Sequence, residues 1–270
     1  MMNDSRSTSE LIQIALTADE EMMHKAVTAL HFRGNREVFD AARRLCASDS
    51  PKDRSLGAYI LGQLGVPDRT FPDESVEILL NLLAQEQPPE VLCSIGTALS
   101  HLKSEKAVPA LAALKNHGDA DVRYSVVCGL LCQDNEQAIQ ALIKLSSDED
   151  WDVRNWATFG LGTMVDIDTE AIRDALFQRL LHEAAGEGDE IYGEALVGLA
   201  ERKDPRLIPP LLQELSSNPV GRLAVEAASI VGDPRLYSAL IRLRDWWDLD
   251  RDLLESAIAH SARPTKGGQQ

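Results

Sequence analysis

The sequence predicts an all-α fold, a superhelical α-solenoid of about seven stacked two-helix repeats. Three observations lead to this prediction. The segments 119–130 and 150–161 are near copies of one another, and weaker copies recur along the chain. Apolar residues are spaced at i, i+3 and i+4, as in a helix with one buried face. No segment shows the alternation of apolar and polar residues that is typical of a half-buried strand.

One aligned position, the repeat anchor, follows the repeats along the chain. It is arginine in the clearest copies, with a small residue three positions later. The anchors are, in order, Met23, Arg54, Leu92, Arg123, Arg154, Tyr192 and Gly221. Two intervals are seven residues longer than their neighbours, and we place the excess in the loops Gly65–Pro72 and Val165–Thr169.

The first helix of each repeat is predicted to begin just before its anchor. An acidic residue two positions earlier suits the first turn of a helix, and five repeats have one: Glu21, Glu90, Asp121, Asp152 and Glu190. Pro205 and Pro234 suit the start of a second helix, where the missing N–H is not needed. We therefore predict an N-terminal segment or cap at 1–18, one repeat domain at 19–260 and a flexible tail at 261–270.

The motif that opens the first helices resembles HEAT-like repeats of the type first named from phycobilisome lyases. The segments Asp121–Leu130 and Asp152–Leu161 carry it most clearly, with Asp-x-x-Val-Arg or a close variant followed by small residues. The resemblance implies that the anchor arginine hydrogen-bonds an aspartate at a repeat junction. The implied structural anchors are Arg54, Asp121, Arg123, Asp152 and Arg154. Repeats without the arginine should interrupt this series.

Charge is the most informative functional feature of the sequence. The formal net charge is −16, which disfavours direct binding to the phosphates of nucleic acid and favours a basic protein partner. Between residues 148 and 190 there are twelve acidic residues against three arginines. Two tryptophans lie among these acids, and aromatic residues are common in interface hot spots. The predicted partner-binding residues are Asp148, Glu149, Asp150, Trp151, Asp152, Asn155, Trp156, Asp166, Asp168, Glu187, Asp189 and Glu190.

The alternative for this region is a solvated charged edge with both tryptophans in the core. A second aromatic pair, Trp246 and Trp247, follows the last full repeat, and there we expect a cap over the open end of the core.

No pattern in the sequence predicts catalysis, a metal site or a cofactor. The cysteines and histidines are scattered, and His182-Glu183 is a single pair, whereas the di-iron deoxyhypusine hydroxylases built on HEAT repeats use several such pairs. There is no apolar run of about 20 residues and no signal-peptide pattern at the start. We therefore expect a non-enzymatic, soluble cytoplasmic protein without cofactor or membrane contact, monomeric when its partner is absent.

A narrower resemblance concerns three runs, Leu56–Gln63, Asp152–Ala157 and Gly198–Asp204. They are similar to runs in enterobacterial HEAT-repeat proteins that are encoded beside Rhs polymorphic toxin genes and often labelled lyases. The resemblance implies an immunity protein that neutralises a basic, nuclease-like toxin domain by direct binding. Two alternatives stay open, a general scaffold in a larger assembly and a lyase-like enzyme on a phycobiliprotein-type substrate.

Overall fold

The computed structural model describes residues 4–85, 87–183 and 190–262. It divides the chain into two compact units, Met1–Ala138 and Ile139–Gln270. Over the described residues all regular structure is helical, which confirms the predicted all-α class and its stacked helical repeats. The predicted limits of the repeat domain at residues 19 and 260 stay predictions.

Unit 1 consists of helical pairs that follow the predicted repeats. Its helices are α1 (Thr8–Thr17), α2 (Glu20–Arg33), α3 (Arg36–Cys46), α4 (Pro51–Gln63), α5 (Pro72–Leu83), α6 (Pro89–Leu102), α7 (Val108–Ala113) and α8 (Ala120–Leu130). The next helix, α9 (Glu136–Leu145), crosses the division between the units.

Unit 2 repeats the pattern with one irregularity. Its helices are α10 (Trp151–Phe159), which continues as a π-helical turn (Gly160–Met164), α11 (Glu170–His182), α12 (Glu190–Glu201), α13 (Ile208–Glu214), α14 (Arg222–Val231), α15 (Tyr237–Leu243) and α16 (Arg251–Ser261). Pro205 and Pro234 open the 3₁₀ turns that lead into α13 and α15, so both second helices start where the prolines predict.

The first helices of neighbouring repeats pack directly against one another within each unit. In unit 1, α4 packs on α6 and α6 on α8, and in unit 2, α10, α12, α14 and α16 form a similar series. Glycine allows the close approach, because a Cβ on Gly198 of α12 would lie 2.6 Å from the Gly162 Cα. The core of each unit lies between this layer and the second helices, and it is mostly leucine, isoleucine, valine and alanine.

Candidate protein-binding site

The start of α10 is shaped by the aspartates that precede it. The Asp150 side chain caps the helix by accepting a hydrogen bond from the Val153 N–H at 3.0 Å. The Asp148 side chain accepts from the Asp150 N–H at 3.0 Å. Val153 is fully buried, whereas Glu149 and Asp152 are exposed. The helix therefore presents carboxylates at its N-terminal end, where the partial positive charge of the helix stabilises them.

Both tryptophans of α10 lie at the surface. Trp151 is 44% exposed and Trp156 is 38% exposed. The Trp156 ring meets the edge of Phe159 with the ring centroids 5.7 Å apart. The alternative that places both indoles in the core is therefore wrong. The equivalent position in α8 is buried, since Ser125 is only 4% exposed.

The arginine anchor of this repeat binds main-chain oxygen atoms. Nη1 of Arg154 donates to the carbonyl oxygen of Asp148 at 2.7 Å, and Nε donates to Glu183 Oε1 at 2.8 Å. Arg179 also donates to Glu183 Oε1, at 3.2 Å. Burial lowers the pKa of Arg179. Glu183 thus joins two arginines, a role that the sequence did not reveal.

The anchor of the second repeat is arranged in the same way. Arg54 donates to the carbonyl oxygens of Ser48 and Asp49 and to Oε1 of Gln87, which lies before the next first helix. Arg54 and Arg154 therefore hydrogen-bond aspartates just before the repeat start, Asp49 and Asp148, but these aspartates accept through their main-chain oxygens. Aspartates at the repeat starts cap helices instead, and Asp121 and Asp152 lie exposed in the first turns of α8 and α10.

Asn155 links α10 to α12. Its side chain is 8% exposed, and Nδ2 donates to Oε2 of Glu190 at 2.9 Å. Its Oδ1 atom is buried and has no hydrogen-bond partner. Glu190 itself is exposed at the first position of α12. The contact brings together two residues that are 35 positions apart in the sequence.

A further carboxylate, Glu194, lies one turn along α12. Its Oε2 accepts from the Thr163 hydroxyl at 3.2 Å. Burial is the main cause of the raised pKa of Glu194, and the negative charges of Glu226 and Glu190 add to it. The sequence held one signal for this residue, since Glu194 occupies the repeat position that Trp156 holds in α10.

The predicted residues of the loop at 165–169 lie elsewhere. Asp166 and Asp168 are exposed after the π-helical turn, at the opposite end of α10 from Asp152. With a rise of about 1.5 Å per residue, the intervening turns separate the two ends by roughly 20 Å. Asp168 accepts from Arg173 Nε at 2.8 Å. The structure therefore does not join this loop to the start of α10.

Arg202 fixes the same loop. Its side chain is buried, and its guanidinium donates to the carbonyl oxygens of Leu161 and Val165, both at 2.8 Å, and of Gly162 at 2.9 Å. Asp168 Oδ1 lies 3.9 Å from its Nε.

We use the term acidic aromatic surface for the predicted residues that the structure groups around the start of α10 and α12. Its members are Asp148, Glu149, Asp150, Trp151, Asp152, Asn155, Trp156 and Glu190. Two other predicted residues, Glu187 and Asp189, lie outside the described residues.

Burial disfavours the reactive thiolate form of two cysteines. Burial raises the pKa of the Cys46 thiol to about 12 and that of Cys93 to about 11. Cys132 differs, because it is exposed just after α8. Across residues 4–85, 87–183 and 190–262, no three His, Cys, Asp or Glu side chains are grouped so that they could hold a metal ion.

Matches to known proteins agree with this architecture. A family model of HEAT repeats matches residues 76–162 and 110–188. The matched region, residues 76–188, thus carries HEAT-like repeats.

Two comparisons point to the same relative. The protein YibA of Escherichia coli K12 is 28% identical over 238 residues, which cover 85% of this chain and 81% of YibA. The X-ray structure of Escherichia coli YibA is similar with a TM-score of 0.80 and 26% identity, covering 96% of this chain and 93% of that chain.

An engineered protein is also similar, with a TM-score of 0.55 and 18% identity, covering 94% of this chain and 77% of its own, and this likeness concerns the fold alone. In the described part of the chain, no helix has the length and apolar character needed to cross a membrane.

Proposed function

We propose that this chain is a non-catalytic binding protein whose acidic aromatic surface holds a basic protein partner. The observation that carries the proposal is the exposure of Trp151 and Trp156 next to the carboxylates of Asp152 and Glu190. Large exposed aromatics supply contact area at interfaces, and neighbouring charges set the partner's sign and speed its capture. HEAT-like repeats offer the extended surfaces on which such binding is common.

The partner class that we propose is a basic, nuclease-like toxin domain, which would make the chain an immunity protein. The support is the net charge of −16, the acidic aromatic surface and the resemblance to proteins encoded beside Rhs toxin genes. A nuclease domain needs a basic cleft for its phosphate-rich substrate. An acidic protein that covers the cleft would block the substrate by occupying its binding surface.

The experiment is capture of partners from a lysate of the native host on the immobilised full chain, at low and then moderate salt, with mass spectrometry of the eluate. We expect one dominant basic polypeptide. The double variant Asp152→Lys with Glu190→Lys should lose it, because the charge that attracts the partner is reversed.

The matched control is Asp166→Lys with Asp168→Lys, which changes charge equally at the opposite end of α10. Loss of the partner from both variants would move the contact away from the acidic aromatic surface. Many weak partners without a dominant one would favour a scaffold and contradict the proposal. A captured basic polypeptide that cleaves nucleic acid, and is inhibited by this chain, would confirm the immunity role.

A further inference from the structure

The buried amide of Asn155 is an unusual feature of the first helices. Its Oδ1 atom has no hydrogen-bond partner although the side chain is only 8% exposed. An acceptor that is removed from water without a donor is unfavourable, and such atoms are uncommon in folded proteins. The repeat architecture does not require the amide, since the near copy in α8 has Tyr124 at the same position.

The surroundings of this amide offer acceptors and an aromatic ring. Trp151 lies one helical turn before Asn155, and Asp152 lies three residues before it, so all three side chains occupy one face of α10. Glu190 faces them from the start of α12 and already accepts from Asn155 Nδ2. No ion pair joins Asp152 or Glu190 to a lysine or arginine of the described chain.

The acceptor oxygens and the two carboxylates favour a ligand that carries positive charge and has only hydrogen-bond donors. Lysine and arginine both qualify, but the guanidinium has five N–H donors in one plane and weakly hydrated faces that stack on aromatic rings. One guanidinium can donate to Asn155 Oδ1 and to a carboxylate while its face covers the indole of Trp151. Oδ1 is closed to solvent in the free protein, so binding as proposed requires a local side-chain movement that exposes it.

We propose that Trp151, Asp152, Asn155 and Glu190 form a site for an arginine side chain of the protein partner. We call it the Asn155 site. The inference rests on the proposed function, because it assigns the chemistry of one contact within the acidic aromatic surface.

The test uses the full chain and three capped tripeptides, Gly-Arg-Gly, Gly-Lys-Gly and Gly-citrulline-Gly. The readouts are the NMR signals of the Asn155 side-chain amide and of the Trp151 indole N–H. We expect saturable shifts of both signals with the arginine peptide, at least about tenfold weaker binding of the lysine peptide, and no saturation with citrulline, which lacks the charge. Equal binding of arginine and lysine, or shifts that spare the Asn155 amide, would overturn the assignment.

Substitutions identify the residues that bind the arginine peptide. Glu190→Gln and Asn155→Tyr should each weaken binding of the arginine peptide at least about tenfold, since the first removes the negative charge that pairs with the guanidinium and the second removes the amide acceptor. The tyrosine is the residue that α8 already holds. Two matched controls should leave binding unchanged, Glu201→Gln at the other end of α12 and Trp246→Ala, a tryptophan that is also 44% exposed. Binding that survives Glu190→Gln would refute the site.

Two experimental outcomes separate the Asn155 site from the proposed function. A captured basic partner whose affinity is lowered by Trp156→Ser but not by Asn155→Tyr or Glu190→Gln would refute the Asn155 site alone. A specific arginine response without any captured protein would refute the proposed function while the Asn155 site stands.

Discussion

The repeats that begin with α8 and α10 are near copies in sequence but differ in what they present to solvent. Both start with an aspartate that caps the helix, Asp119 and Asp150, and both bury a valine completely. In both, the anchor arginine donates to main-chain oxygens of the preceding turn.

The aligned segments 119–130 and 150–161 differ at six positions, and three of these concern the acidic aromatic surface. Where α8 has Ala120, Tyr124 and Ser125, α10 has Trp151, Asn155 and Trp156. Ser125 is buried beside Gly96 of α6, whereas Trp156 is exposed. The shared residues build the helix start, and the residues that differ supply the exposed aromatic rings and the amide whose Oδ1 atom has no hydrogen-bond partner in the described part of the chain. Within this pair of repeats, three of the positions that we propose for partner binding are therefore among those that differ.

Within these two repeats, the largest expected effect comes from replacing the shared anchor arginines. Arg154→Met and Arg123→Met should each lower the free energy of unfolding by about 3 kcal/mol, because buried oxygen acceptors lose their donor. Denaturant titration measures the change. Arg173→Met, which breaks a half-exposed pair with Asp168, is the control and should cost less than about 1 kcal/mol. Loss of stability in only one of the two variants would show that the repeats are not equivalent.

The helix caps should have a smaller effect. Asp119→Ala and Asp150→Ala should each lower the free energy of unfolding by about 1 kcal/mol, the usual cost of losing an N-cap. Asp→Ser at either position should restore most of the stability, because serine also accepts at the cap. A cost at Asp150 several times that at Asp119 would contradict the common role.

The residues that differ should affect stability least. Trp151→Ala should change the free energy of unfolding by no more than about 0.5 kcal/mol, as expected for an exposed side chain away from packing. Trp156→Ser should cost up to about 1 kcal/mol, because it loses the edge contact with Phe159. Trp247→Ala provides the contrast, since this ring is 2% exposed and its Nε1 donates to the Val220 carbonyl oxygen, whereas Trp246, the other residue of the predicted cap, is 44% exposed. Its cost should be about 3–5 kcal/mol.

A pH experiment extends the comparison to the repeat that begins with α12. Glu194 stands where α10 has Trp156, and burial raises its pKa. The folded state therefore holds the proton more tightly than the unfolded state, and ionised Glu194 lowers stability at neutral pH. Glu194→Gln should raise the free energy of unfolding by a few tenths of a kcal/mol at pH 7, an effect reduced by partial exposure. The difference should shrink as the pH falls through the raised pKa of Glu194 towards the ordinary glutamate value of about 4.3, and it should be lost below that value. A constant difference across this range would argue against a titrating Glu194.

Much of the architecture could be predicted from the sequence, because repeat spacing and helical periodicity recur many times. The helix starts at Asp119 and Asp150 follow from local patterns, and so does the exposure of Asp152. The main-chain hydrogen-bond partners of Arg154 could not be predicted from the sequence, because every residue has a main-chain oxygen.

Long-range pairs were equally hidden. The link from Asn155 to Glu190 depends on how far α12 is rotated about its own axis, and no spacing rule fixes that rotation. The distance between Asp152 and Asp166, both predicted as partner-binding residues, was hidden for a related reason. Residues near in sequence lie at opposite ends of one helix.

The hydrogen bonds from Arg202 to the turn that ends α10 have a consequence for sequence variation. They reach the carbonyl oxygens of Leu161, Gly162 and Val165, and every amino acid provides such an oxygen. The path of the loop is thus set by a single side chain from the next repeat. Substitutions at exposed positions such as Asp166 therefore need not move the main chain. The side chains of this loop can vary between related proteins while the path of its main chain stays the same.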